Sequence, residues 1–538
     1  MKESFLKIGT AADGKFFWKR LLYTLCFVMF CVIDQRTKTA SGLDGLIETF
    51  REVTGIVLAC IIFSHYKWTD FVKYKWIYAV WGIVSVAGVI GAFGGGGRYL
   101  GMGRYPFLND RIAILANVVI WGFILMHTFI QVVLEKKYPK LNRKMLIVWS
   151  IMMVLMIVSR SHYIWPFCYM VMFGCFYFTG FTVDEQEDLW QGCLDGIILS
   201  FILFQGFCCV FRPYDMERYV GIHNNCNLNG LYYLTVLAAV FTKILYLTRK
   251  HASKWLKVFY WLLAGVVLSF LFMTIGRIAW ITAFVLGLLF LGFLNWILQK
   301  KQFVRNGMIL VLCAVLMFPI TFGATRYLPP VFHHPIWFWG EWREDKVHSW
   351  DPWNSEKYID MDELLDTAFG RVAGGVKSLL EHSPFAIKAD AAEAVSAEDA
   401  SRLKTAVFSP EQEYDDFLVR STIYQYYFTH LNWRGHPYEE QGFQLFWDYW
   451  IGHAHNIFLQ YGTDFGIPVM ILFAVLIVWG STVCWKRIRK QASTADIAAL
   501  YYILIPAVFG LLEYSWGVGS LSITMLFLAW GRAMQEET

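Results

Sequence analysis

His455 is followed directly by Asn456 and, after nine intervening residues, by Gly466, in the stretch His453-Ala-His-Asn-Ile-Phe-Leu-Gln-Tyr-Gly-Thr-Asp-Phe-Gly466. An imidazole, with an ordinary pKa of about 6.5, can orient a hydroxyl and take its proton near neutral pH. Two other groups supply cations. Arg218-Tyr-Val-Gly-Ile-His-Asn-Asn-Cys-Asn-Leu-Asn-Gly230 leads into an apolar run. There a guanidinium fork, a glycine turn and the free N–H groups of a helix start together favour phosphate oxygens. Gly276-Arg277 interrupts an apolar hairpin, and a charge so placed normally faces a bundle interior or a polar cavity. Arg420 and Arg434 lie upstream of His455 in a polar stretch. Arg98-Tyr-Leu-Gly-Met-Gly-Arg-Tyr-Pro-Phe-Leu-Asn-Asp110 repeats the Arg218 segment in Arg, Tyr, Gly, Leu and Asn, five matches in thirteen positions. Genuine repetition and chance both remain open for it.

The elements that must carry these residues follow from composition. With 57% hydrophobic, 18% aromatic and 17% charged residues over 538 positions, the chain cannot fold as ordinary soluble domains. Fourteen apolar runs have the length needed to cross about 30 Å of hydrocarbon. They lie near 17–33, 46–64, 76–93, 111–134, 145–160, 162–180, 189–210, 227–247, 255–274, 278–299, 304–323, 456–484, 495–512 and 517–534. The second carries Glu48, Arg51 and Glu52, and the short fifth and sixth could form a re-entrant pair. The expected architecture is therefore all-α: a polytopic membrane helix bundle of about 12–14 transmembrane helices with one large, partly helical extracytoplasmic loop. It divides into an N-terminal transmembrane bundle of about eleven helices (1–323), the loop (324–453) and the C-terminal transmembrane helices (454–538).

Orientation follows from the cations, which short cytoplasmic loops retain. Lys15, Lys19 and Arg20, then Lys67, Lys73 and Lys75, then Lys136 to Lys144, Arg249 to Lys257, Lys300 to Arg305 and Lys486 to Lys490 fall on one side of the fourteen-helix arrangement. Both termini are then cytoplasmic, the protein sits in the cytoplasmic (inner) membrane, and residues 324–453 are extracytoplasmic. The net charge of +5 reads as an inner-face anchor, and no nucleic-acid partner is expected. The first span lacks a small-residue cleavage site, so no signal peptide is expected to be removed. None of the eleven cysteines lies in the large loop, which therefore has no disulfide framework of its own.

Taken singly, each candidate has a plainer reading. Arg98 and Arg218 could contact lipid headgroups, Arg277 could cap a helix, and His455 could be a hydrogen-bonded interface histidine. The tryptophans at both ends of the loop suit a headgroup belt better than sugar stacking. Asp360-Met-Asp362 could bind a metal but reads as a helix start. His453 and His455, two apart, would diverge on a helix, so no metal is expected. Gly94 to Gly97 lacks the Gly-Lys-Ser/Thr ending of a nucleotide loop. Several arginines and one histidine at the mouths of different helices are more economically explained by a site that handles a diphosphate.

From Arg218 to about Trp479 the chain resembles the bacterial O-antigen ligase and O-antigen polymerase superfamily. The order of residues carries the resemblance: Arg-Tyr-x-Gly with asparagines before a helix, Gly276-Arg277, Arg420 in a long loop, then His455-Asn456 and, after nine intervening residues, Gly466. The signature's last position, usually Gly, Thr or Tyr, is Val469 here. Family members usually have about twelve spans. The resemblance implies transfer of a glycan from an undecaprenyl-diphosphate carrier to an acceptor hydroxyl on a glycan or glycolipid, with inversion and without metal or cofactor. His455, Arg277 and Arg218 are then the candidate catalytic residues, and Arg98, Arg420, Asn456 and Arg434 the candidate substrate-binding ones. Ligase and polymerase share the donor half-reaction and are not separated. A lipid-linked oligosaccharide flippase is the competing reading, and it would place charges along a path at several depths.

Overall fold

The computed structural model describes residues 18–25, 27–28, 31, 68–94, 122–136, 140–161, 166, 169–170, 183–212, 214, 218–223, 225–298, 301–332, 359–381, 416–437, 442–446, 449–490, 493–514 and 520–535. The expected span at 46–64, most of the one at 162–180, and Arg98 with its segment lie outside these residues.

The chain is an all-α polytopic membrane helix bundle. Its helices are α1 (Trp68–Lys73), α2 (Lys75–Gly94), α3 (Gly122–Phe129, continued by a π turn over Ile130–Leu134), α4 (Arg143–Val158), α5 (Val183–Phe211), α6 (Cys226–Arg249), α7 (Lys254–Met273), α8 (Arg277–Leu298) and α9 (Phe303–Phe332). After them come α10 (Met361–Glu381), α11 (Asp416–Thr429), a hairpin of β1 (Phe443–Phe446) and β2 (Tyr449–Ile451), α12 (Ile457–Phe465), α13 (Ile467–Lys490), α14 (Thr494–Phe509) and α15 (Leu521–Met534). Among the described residues, six helices are long and apolar enough to cross a bilayer: α5 to α9 and α13. Three shorter apolar stretches, in α2, α14 and α15, accompany them.

Burial assigns their places. The apolar window of α6 is 89% buried and that of α9 only 22%, so α6 runs through the middle of the bundle and α9 along its flank. The outward residues Val311, Val315 and Ile320 of α9 are exposed and apolar, as a lipid-facing side requires. Around α6 pack α5, α7, α8 and α14. Lys243 on this central helix is buried and paired with Asp195 of α5 at 2.6 Å, and Arg20 reaches the same carboxylate at 2.5 Å. Asp496 of α14 accepts from Arg532 of α15 at 2.8 and 3.0 Å. These charges are neutralised where they are desolvated.

The bundle has two chemically different ends. The termini of α6, α7, α8, α9 and α13 that carry Arg249, Lys254, Lys301, Arg305, Lys486, Arg489 and Lys490 gather at one. The opposite termini gather at the other, with Arg218, the turn before Arg277, His455 and Glu513.

Two expectations shift in detail and a third holds. The run at 456–484 is not one helix: it breaks at Gly466 into α12 and α13. Helix α9 continues through Pro329 and Pro330 to Phe332, past the boundary expected at 323. Asp360 does start a helix, since its Oδ1 accepts from the Glu363 N–H at 2.8 Å, an N-cap.

Candidate functional site

Asn456 and Gly466 are the two ends of α12. The Asn456 side chain accepts from the N–H groups of Phe458 and Leu459, capping the helix start, and its amide donates to the Leu511 carbonyl at 2.8 Å. Gly466 closes the helix at φ +102°, and a Cβ there would lie 2.4 Å from the Trp433 carbonyl oxygen. Only glycine combines that backbone conformation with that approach. Nine residues separate cap from stop because nine residues form the helix.

The same cap fixes His455 just outside the helix. His455 has φ +48°, a left-handed conformation that a non-glycine residue holds only when its surroundings impose it. Here the Tyr424 hydroxyl donates to the His455 carbonyl at 3.3 Å, and its Nδ1 lies 2.9 Å from Glu513 Oε1. Ile275 also has a positive φ, +49°, and sits in the turn between α7 and α8 directly before Gly276-Arg277. For a β-branched residue this is a marked strain. Two of the four non-glycine residues with positive φ among the described residues thus fall in the candidate site.

Glu513 joins the parts. Its side chain is 5% exposed. Oε1 faces His455. Oε2 accepts from Asn227 Nδ2 at 2.6 Å, and Arg420 Nη2 stands 3.9 Å away. Asn227 Oδ1 in turn accepts from Arg218 Nη2 at 2.7 Å, while Arg218 Nε donates to the Thr274 carbonyl at 3.0 Å. An unbroken chain of polar contacts therefore runs from the α7–α8 turn through Arg218, Asn227 and Glu513 to His455. Arg420 is anchored beside it by donating to the Leu512 carbonyl at 3.1 Å.

Burial pushes the Glu513 carboxyl up, but the hydrogen bond and charge of His455 and the charge of Arg420 outweigh it and hold the carboxyl below its ordinary value. An ionised carboxylate can only accept, so His455 Nδ1 carries a proton, and in the neutral ring Nε2 presents the lone pair. His453 packs against His455, with ring centroids 4.2 Å apart and planes at 65°. Burial and the charge of His455 push its pKa down to about 4, against the pull of Glu513. The two histidines are not helical, so the expectation that a separation of two would throw them apart fails on its premise. One ligand atom each of His453, His455 and Glu513 lie within 4.8 Å of one another.

Of the residues singled out in the sequence, His455, Asn456, Arg218 and Arg420 meet here. Arg277 is the half-buried first residue of α8, set by the turn that Arg218 grips: a Cβ on Gly276 would lie 3.8 Å from Arg218 Nη2. Arg434 goes elsewhere. Its side chain is exposed, and its backbone abuts Gly466, one length of α12 away from His455. Arg98 is not described. Sequence reasoning missed Glu513 and Asn227. A signal for the first existed: Glu513 is the only carboxylate between Asp496 and Glu536, and a lone acid between two apolar spans marks a functional candidate. Arg371 of α10, also unforeseen, lies within electrostatic reach of Cys226 at the start of α6.

Compared with known proteins, the chain matches no family profile, no curated protein and no solved structure.

Proposed function

We propose that the chain is an integral membrane glycosyltransferase that moves a glycan from an undecaprenyl-diphosphate carrier to an acceptor hydroxyl on the outer face of the cytoplasmic membrane, in the manner of O-antigen ligases or polymerases. The observation that carries this reading is Glu513, which ties an imidazole to an anion-binding guanidinium in one bonded chain. His455 Nε2 takes the proton of the acceptor hydroxyl while the hydroxyl oxygen attacks the anomeric carbon. The bond from that carbon to the diphosphate breaks on the opposite side, inverting the centre, and the diphosphate leaves with the electron pair. Arg218, Arg277 and Arg420 stabilise the developing charge from fixed positions. The glycosyl diphosphate stores the energy, so the step needs neither nucleotide nor metal.

A lipid tail also has a place. An apolar groove of about 600 Å³ between α7, α8 and α9 runs from Leu291 and Gly307 to Leu271, Phe272 and Trp280. Its lining residues Leu271 and Phe272 stand three and two positions before Thr274, whose carbonyl holds Arg218. A prenyl chain lying there puts its diphosphate at the guanidinium.

The flippase reading draws on one observation, the buried charge of Lys243 some 16 residues along α6 from Asn227, about 24 Å at 1.5 Å per residue. That charge is paired with Asp195, which makes it structural. Detergent-purified chain mixed with lipid-diphosphate donor and acceptor separates the two readings, since there is no membrane to cross. Product is expected from the wild type and from neither His455→Ala nor Arg277→Ala, both expressed normally. No product from the wild type, or unimpaired transfer by both variants, removes the proposal.

A further inference from the structure

His453 plays no part in the transfer just described, yet it is placed with care. Its Nδ1 is buried without a hydrogen-bond partner, which costs free energy unless something occupies it. Its ring lies 4.2 Å from that of His455 at 65°, and one ring nitrogen of each lies within 4.8 Å of the other and of a Glu513 carboxylate oxygen. The third member, Glu513, is a buried carboxylate whose Oε2 is held by Asn227, leaving Oε1 toward the imidazoles. Two imidazoles and one carboxylate are the donor set that divalent transition ions of borderline softness prefer. Tetrahedral zinc with bonds of about 2.1 Å holds its ligand atoms about 3.4 Å apart. The observed separations, 2.9 Å for His455 to Glu513 and no more than 4.8 Å for any pair, are brought there by small side-chain rotations.

We propose that His453, His455 and Glu513 form a binding site for a divalent transition metal, Zn²⁺ above all, and that its occupancy switches the transfer reaction off. The first half stands on the geometry alone. The second rests on the glycosyl-transfer reading and follows from tautomer chemistry. A metal on His455 Nδ1 displaces the hydrogen bond to Glu513 and moves the ring proton from Nδ1 to Nε2. Nε2 then donates instead of accepting, and the base for the acceptor hydroxyl is gone. The metal is thus an inhibitor of a reaction that runs without one.

The test uses full-length protein in detergent, stripped with a chelator and titrated with zinc chloride by calorimetry. The wild type is expected to bind one Zn²⁺ that His453→Ala and the bulkier His453→Gln each bind at least about tenfold more weakly. Unchanged thermal unfolding shows that both variants fold. Cobalt substitution is expected to give the visible spectrum of a site with two imidazoles, lost in both variants. In the transfer assay, Zn²⁺ is expected to stop the wild type, chelator to restore it, and His453→Ala to keep working in the same Zn²⁺. Equal zinc affinity in wild type and both variants overturns the site. Undiminished transfer by zinc-loaded wild type overturns the switch. If no protein transfers glycan, the calorimetry still decides the metal site, and only the glycosyltransferase reading falls.

Discussion

In the proposed transfer reaction, Glu513 makes a histidine into a directed base. Its negative charge selects the Nδ1–H tautomer of His455, and its other oxygen reports to Arg218 through Asn227. Glu513→Gln keeps the shape and removes the charge, so the tautomer is no longer imposed. The expected result is a fall in kcat of about 10²- to 10⁴-fold, the span of general-base contributions, with KM for the lipid donor changed far less. A variant with wild-type kcat would show that the carboxylate is only structural. A second buried acid makes a prediction about pH. Asp464, fully buried in α12, accepts from Gln460 at 2.7 Å; burial, only partly offset by that bond, pushes its carboxyl up to about 8. Between the ordinary carboxylate value near 4 and pH 8 the folded state therefore holds a proton that the unfolded state has lost. Stability from this group is complete below that window and declines as pH rises through it, by at most about 1.4 kcal/mol per pH unit. Asp464→Asn should flatten this decline and unfold at a higher temperature than wild type at pH 8, measured by thermal unfolding in detergent. At this scale the sequence showed the cations and the imidazole, because such residues are rare in apolar surroundings. It hid Asn227 and weakly marked Glu513, because their importance lies in contacts across 286 positions of chain.

At the scale of elements, the spacing of His455, Asn456 and Gly466 is the measure of one short helix. Asn456→Ala removes the cap of α12 and the tether to Leu511, for a loss of about 1 kcal/mol from the cap and a similar amount from the tether. Asn456→Asp keeps an oxygen for the cap but cannot donate to Leu511. It is expected to lose only the tether's share of stability, unfolding between wild type and Asn456→Ala, while losing transfer, because the segment that carries Glu513 is then no longer pinned beside His455. Loss of stability without loss of transfer in Asn456→Asp would break the link between cap and site. Gly466 and Pro468 carried a legible stop-and-restart signal, a glycine terminus followed by a proline in the next helix's first turn. Hydropathy alone overrode it and joined 456 to 484. Helices α6 to α8 were legible to within two residues, because polar punctuation such as Ser253, Gly276-Arg277 and Lys300-Lys301 bounds each apolar run, whereas α5 begins six residues before the expected 189. The packing of α11 and the β1–β2 hairpin against α12, through Tyr427, Ile451 and Ala454, was not. Only Ile423 and Tyr427 on α11 keep a helical spacing, and their partners Ile451 and Ala454 lie more than twenty positions further on.

The whole molecule sorts charge by end, and in the proposed function that sorting decides which substrates can reach the site. Arg143, Lys144, Lys486, Arg489 and Lys490 are exposed at the termini opposite His455, and Met534 of α15 ties α4 to that end by accepting from the Asn142 N–H at 2.6 Å. Because translocating lysine and arginine is disfavoured, the proposed function puts that end in the cytoplasm and the His455 end outside, where a flipped lipid-linked glycan would be presented. Cysteine labelling in intact cells tests it. In a background with all eleven native cysteines replaced, Thr429→Cys, exposed at the end of α11 near the site, should react with a membrane-impermeant maleimide added outside. Arg489→Cys, exposed at the far end of α13, should react only after the membrane is permeabilised. The reverse pattern would put His455 on the cytoplasmic side, where the donor's glycan is not displayed, and outer-face transfer would be lost even if the site chemistry survived. Labelling of both positions from outside would mean that α13 does not cross the membrane, and the bundle as a spanning structure would fail with it.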